Sequence, residues 1–314
     1  MRSVILLLLI TSSLFAQTVD KAKKLLDEKQ SAEAKKILLS INEDSKEYAA
    51  AQFYLGRIAF DENKLDDASD YFEEAIDAND KVAEYHNWYG NALGSIAQTA
   101  NMLKQGMLAP KMKTAWEKAV ELNQDFIEPR QSLIQYYLQA PGFMGGSVDK
   151  AKEMANKIVR LKPAEGHRQL GIIYTYEKKI LEAEKEFVAM VSADPAYVLT
   201  LANFYFTQKQ YPKAFDLFED ALKKNPDDMM AVYQIGKTSA LSGLKLERGE
   251  ECLKKYLTYK PKQNEPNHGG ANMRLAQIKE KQGKKAEAKK LFELALQLDP
   301  ALKEAKEGLE RVSK

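Results

Sequence analysis

The stretch His167–Pro195, HRQLGIIYTYEKKILEAEKEFVAMVSADP, decides how the chain is read. It carries an apolar–small pair, Leu170-Gly171. Ala183 stands twelve residues after Gly171, Phe187 four further on, Met190 three after that and Pro195 five later. Positions three, four and seven apart lie on one face of a helix. The stretch therefore reads as two helices joined by a turn. A small residue on one helix lets the other come close, the Phe fills the gap beside it, and proline ends the second helix. Neither helix buries its apolar face alone.

The same order recurs along the chain. LGRIAFDENKLDDASDYFEEAIDAND from Leu55, LANFYFTQKQYPKAFDLFEDALKKNP from Leu201 and LAQIKEKQGKKAEAKKLFELALQLDP from Leu275 repeat it. Their alanines are Ala68, Ala214 and Ala288; their phenylalanines are Phe72, Phe218 and Phe292; Asp80, Pro226 and Pro300 follow. Ala34 lies 34 residues before Ala68 and marks a first unit. A stretched unit occupies 82–124, with 29 residues from Gly90 to Ala119 where a regular unit has 19. The next unit holds a long inter-helix loop at 139–148 and ends at Pro163; another ends at Pro261. After Pro300, ALKEAKEGLERVSK reads as a polar C-terminal capping helix, which a stack of repeats needs at its open end. The expected fold is all-α: a single α-solenoid over 17–314 of about eight helix pairs and a cap.

This pattern resembles the tetratricopeptide repeat, whose signature runs bulky residue, Leu-Gly, Tyr, Ala, Phe, Ala, Pro. His167–Pro195 carries it through Leu170, Gly171, Tyr174, Ala183, Phe187 and Pro195, with Met190 in place of the third small residue. The resemblance implies a right-handed superhelix whose concave face is lined by the first helix of each pair and holds peptide or protein partners. Carried onto this chain, the lining positions are Arg57, Asn87, Asn91, Gln131, Gln135, Arg168, Tyr176, Asn203, Tyr233, Lys237 and Gln277. Amides among them can pair with an extended backbone. Arg and Lys can hold a carboxylate. Asn91 and Asn203 match one position of the family's carboxylate-clamping subset, but the other clamp positions do not match.

Bulk properties narrow the function. The 314 residues are 45% hydrophobic and 29% charged, a globular rather than a disordered or fibrous composition. With 47 basic and 45 acidic residues the net charge is +2, which gives no electrostatic reason to expect nucleic acid. MRSVILLLLITSSLFAQ has a basic residue, a short apolar run and Ala16 at a cleavage position, the layout of a signal peptide over 1–16. Gln17 rather than Cys follows, so a lipid anchor is not expected, and no later apolar run is long enough to span a bilayer. The expected location is periplasmic or secreted. Cys252 is the single cysteine, so no internal disulfide forms, and a quiet, partly buried thiol is expected.

Other segments have two readings each. LQAPGFMGGSVDKA, Leu138–Ala151, is glycine-rich but lacks the Lys-Ser or Lys-Thr and the preceding strand of a phosphate loop. We read it as an ordered long turn, with Ser147 or Asp149 capping the next helix and Phe143 and Met144 plugged onto the neighbouring pair. Met102, Leu103, Met107 and Leu108 in the stretched unit read as a local enlargement of the core, the alternative being an adaptable partner-binding surface. His86 and His167 read as packing residues. KEKQGKKAEAKK from Lys279 reads as a solvated helix pair. The chain contains no HExxH, GxSxG or paired-cysteine motif, and no catalytic residue, metal or cofactor is expected. The function expected is a non-enzymatic scaffold for a protein or peptide partner in the cell envelope. A recognition subunit of a cell-wall-acting enzyme system and a self-associating structural protein are the alternatives; the oligomeric state is left open.

Overall fold

The structure, a computed structural model, describes residues 18–314. The signal-peptide reading of 1–16 lies outside the described residues. Within them the chain forms seventeen helices and no strand. They fall into two compact units, one up to Lys178 and one from Lys179 to Lys314.

The first unit holds four consecutive helix pairs and one further helix. They are α1 (18–27) with α2 (Ser31–Leu39), α3 (Tyr48–Asp61) with α4 (Leu65–Ala78), and α5 (Ala83–Thr99) with α6 (Met102–Leu122). Then come α7 (Ile127–Gln139) with α8 (Val148–Leu161), and α9 (Pro163–Tyr176). The second unit holds α10 (Ile180–Ala193), then α11 (Val198–Thr207) with α12 (Tyr211–Lys224) and α13 (Met229–Ser242) with α14 (Leu246–Leu257). It continues with α15 (His268–Lys281), α16 (Lys285–Leu298) and α17 (Lys303–Ser313). Within each unit every helix packs on its chain neighbours, the arrangement of an α-solenoid of helix pairs.

The repeat residues do the packing work assigned to them. Ala68, Ala183, Ala214 and Ala288 are fully buried, as are Phe72, Phe218 and Phe292, with Phe187 nearly so. A Cβ added at Gly56 on α3 would lie 2.6 Å from the Phe72 ring on α4, so glycine is what admits the ring. Tight turns close several pairs the same way. Lys29, Asn63, Lys209 and Gly283 each adopt positive φ just after a helix. The following amide then bonds back five residues, as in Gln30 N to Leu25 O, Lys64 N to Ala59 O, Gln210 N to Tyr205 O and Lys284 N to Lys279 O.

The stretched pair departs from this. α5 has 17 residues and α6 has 21, against 14 and 14 for α3 and α4, so the insertion lengthens both helices. Gly90 on α5 faces Trp116 on α6, with 2.6 Å between an added Cβ and the indole. Trp116 thus stands where a regular unit has Phe, and Met112, one turn earlier, where it has Ala. The extra turns do not enlarge the core. Met102, Leu103 and Met107 are 88, 77 and 68% exposed, and only Leu108 of the four is half-buried.

The glycine-rich loop is ordered by its own backbone. Gly142–Met144 makes one 3-10 turn, and Gly145 takes φ 92°. The amides of Met144 and Gly146 donate to Pro141 O, Gly145 to Gly142 O and Ser147 to Tyr137 O, so none of the four is left to cradle a phosphate. Ser147 Oγ caps α8 by accepting from Lys150 N. Phe143 is not a plug: it is 90% exposed at the loop tip. Met144 alone turns inward, and its carbonyl accepts from Tyr136 Oη at 2.8 Å.

Candidate functional site

The inserted turns help form a concavity in the first unit. α6 overhangs α7, and between them, α5 and the 140–144 segment lies a groove of about 850 Å³. α5 contributes Trp88, Asn91, Ser95 and Gln98; α7 contributes Ser132, Gln135, Tyr136 and Gln139. α6 supplies Met102, Gln105, Gly106, Ala109, Met112 and Trp116, and Pro141 and Met144 close one end. Twenty residues line it and none is charged, in a chain that is 29% charged. The volume falls within the range of about 300–1,000 Å³ that ligand pockets occupy, and the walls mix apolar with a few polar groups as such pockets do.

The walls are fixed from behind. The Arg57 guanidinium lies 3.8 Å from the centre of the Trp88 ring, and the Phe60 ring meets Trp88 edge-on at 5.3 Å. Trp116 Nε1 donates to Asn91 Oδ1 at 3.0 Å, which orients both side chains. Tyr137, a buried residue of α7, donates to Glu117 Oε1 at 2.9 Å; burial first and that carboxylate second push its phenol well above the ordinary range. Pro110 inside α6 has no N–H to give to the carbonyl of Gly106, one turn earlier on the groove.

The residues expected to line a concave face all lie on first helices, but their surroundings differ. Asn91 and Gln135 come together in the groove. Arg57 stands behind it, stacked on Trp88. Gln131 and Arg168 meet at Glu165, which is buried: Gln131 Nε2 donates at 2.5 Å, Arg168 at 2.7 and 2.9 Å, and Gln169 at 2.8 Å. Burial would raise the Glu165 pKa, but these bonds hold it below the usual carboxylate range. Gln131 also borders a small acidic hollow of about 240 Å³ with Asp125, Glu128 and Lys162. Tyr176 is 56% exposed on the last turn of α9.

In the second unit, Asn203 is exposed and accepts from Gln234 at 3.3 Å. Lys237 lies 4.7 Å over the Phe206 ring; burial and the nearby Arg274 lower its pKa. Gln277 shares Glu304 with Arg274, whose two ends reach that carboxylate at 2.6 and 3.1 Å. Asn87 and Tyr233 are buried, 3 and 7% exposed, so neither presents an accessible polar edge. Their helical phase sets them towards the neighbouring helices, as the packing of Tyr233 on Tyr256 at 5.1 Å shows.

Other sequence readings resolve as follows. His86 is buried with Nε2 2.8 Å from Asp80 O, a packing role. Cys252 is 2% exposed, and burial pushes its thiol up to about 11. Lys279 is not solvated: it is buried and reaches Glu250 at 2.7 Å and Glu287 at 3.0 Å. The groove residues Trp88, Ser95, Gln98, Met112 and Trp116 were not among the expected lining. The only signal for them was the ten-residue insertion itself. Among the described residues no helix is long and apolar enough to cross a membrane.

Comparison with known proteins matches the geometry. Profiles described as tetratricopeptide repeat match residues 19–83 and 53–93, 199–225, and 270–302. Among solved structures, the chain is similar to the C-terminal part of a TPR repeat-containing protein from Cytophaga hutchinsonii. That match has 17% identity and a TM-score of 0.50, and covers 93% of this chain and 99% of that one. It is similar also to a tetratricopeptide repeat protein from Parabacteroides merdae, at 14% identity and TM-score 0.44 over 96 and 99% of the two chains. YrrB, a TPR protein with an unusual peptide-binding site, matches at 18% identity and TM-score 0.45 over 62 and 98%. The profile matches fall on segments whose alanines and phenylalanines sit at the helix contacts described above, so 19–93, 199–225 and 270–302 are similar to tetratricopeptide repeats in sequence as well as in packing.

Proposed function

We propose that the chain is a non-enzymatic scaffold that binds a protein or peptide partner, and that it is exported to the cell envelope. The observation that carries the binding reading is the groove between α5, α6 and α7. It is built on lengthened helices, walled by two indoles and edged by amides, with Gln98, Gln135 and Gln139 exposed along it. Stacked helix pairs offer such surfaces to other polypeptides. Gln135, Tyr176 and Asn203, exposed on first helices, extend the candidate surface within their own units. Export rests on the basic–apolar–small order of residues 1–16.

The experiment is crosslinking followed by pull-down from the cell envelope, with fractionation of cells expressing the chain with and without residues 1–16. A specific polypeptide captured from the envelope fraction is the expected result. A chain that stays cytoplasmic with residues 1–16 intact overturns the export half, and a chain that captures no polypeptide overturns the binding half.

A further inference from the structure

Resting on the scaffold reading, we infer that the α5–α6–α7 groove takes an extended, uncharged segment of the partner polypeptide, about three residues long, with apolar side chains. Three observations carry this. First, no Asp, Glu, Lys or Arg lines the groove, so a charged segment would lose hydration there and find no counter-charge. Second, two rows of uncharged polar groups run along it: Asn91, Ser95 and Gln98 on α5, and Ser132, Gln135 and Gln139 on α7. Each row spans seven residues of helix, about 10 Å at ~1.5 Å per residue. An extended chain advances ~3.3 Å per residue, so three peptide units match the rows. Amides and hydroxyls both donate and accept, which is what a main chain requires. The Gly106 carbonyl, deprived of its helical donor by Pro110, adds an acceptor. Third, between the rows lie the indoles of Trp88 and Trp116 and the thioethers of Met102 and Met112, which adapt to aliphatic and aromatic side chains of varied shape.

The chain has two tryptophans and both line this groove, so their emission reports on its occupation. The test titrates the full chain with acetylated and amidated hexapeptides built from Ala, Leu, Met, Phe and Ser, against the same peptides with Lys or Glu at alternate positions. Two variants accompany the wild type. Gln98→Glu with Gln135→Glu places charges on exposed positions of both rows, and Gly106→Phe puts a ring where an added Cβ meets nothing within 4 Å. Circular dichroism confirms that each is folded.

The expected result is a shift of tryptophan emission with neutral peptides, at least tenfold weaker with charged ones, and at least tenfold weaker in both variants. Equal or tighter binding of charged peptides overturns the inference, as does undiminished binding by Gly106→Phe. The neutral dye N-phenyl-1-naphthylamine bound without competition from any peptide would make this a small-molecule site and overturn it. So would concentration-dependent self-association in light scattering that Gly106→Phe abolishes, since the occupant would then be a second copy. Envelope pull-down separates the two readings. A partner captured equally by wild type and both variants overturns the inference and leaves the scaffold standing; no capture by any of them overturns both.

Discussion

Three helical glycines make different demands on an added methyl. At Gly166 on α9 a Cβ would collide with the backbone of Val159 on α8, which cannot rotate aside. At Gly56 it would lie 2.6 Å from the Phe72 ring, which is buried but able to tilt. At Gly106 it would meet nothing. Overpacking costs about 1–3 kcal/mol, whereas alanine in an exposed helix gains up to about 1 kcal/mol over glycine. Urea unfolding should therefore rank Gly166→Ala below Gly56→Ala, both below wild type, with Gly106→Ala at or above it. A neutral Gly166→Ala would show that α8 and α9 do not approach as described. Arg168 offers a second contrast. Sequence alone suggests a free groove cation, but it holds the buried Glu165 carboxylate. Arg168→Ala should cost about 1–3 kcal/mol by leaving a buried charged group under-satisfied, and adding Glu165→Gln should recover most of that. If the double variant is as unstable as the single, the carboxylate is not the reason.

At the scale of helices, α14 and α15 are joined by a cluster with a definite pH signature. Glu250 receives Lys254 and Lys279 at 2.7 Å and Gln282 at 3.1 Å. Burial alone would raise its pKa; the three bonds outweigh burial and hold it at about 2. A carboxyl depressed on folding contributes stability that is full above its unfolded value of about 4.3 and is lost as pH falls through the folded value. The contribution is at most about 3 kcal/mol, at ~1.4 kcal/mol per pH unit. Unfolding midpoints between pH 5 and pH 2 should fall less steeply for Glu250→Gln than for wild type; parallel curves would remove the cluster from that role. The helices themselves were legible from local demands, since Ala68 and Phe72 must bury the same stripe whatever surrounds them. The groove was not. Gly56 to Phe72 is sixteen residues and Gly90 to Trp116 is twenty-six, a difference that announces an insertion. Period alone does not say which side of the added turns a neighbour covers. Met102 and Met107 look like core by hydrophobicity and are exposed.

At the scale of the whole chain, 47 basic and 45 acidic residues nearly cancel, while the groove has no charged residue along its walls. Lys279 is drawn into an ion-pair cluster and Arg274 and Arg311 are tied to Glu304 and Glu280, so much of the charge is spent between neighbouring helices. This separation gives binding at the groove a recognisable response to salt. Exposed charges are screened over a Debye length of ~10 Å at 0.1 M and ~3 Å at 1 M salt, and affinity that depends on them falls with ionic strength. Burial of apolar surface does not weaken in this way. The dissociation constant of a neutral capped peptide, read from tryptophan emission, should change by less than about threefold between 0.05 and 0.5 M sodium chloride. A partner gripped by Lys237, Arg274 and their neighbours on the second unit would instead weaken steeply over that range. If the neutral peptide weakens tenfold or more, charges outside the lining govern the groove, and its uncharged walls are not what selects the partner.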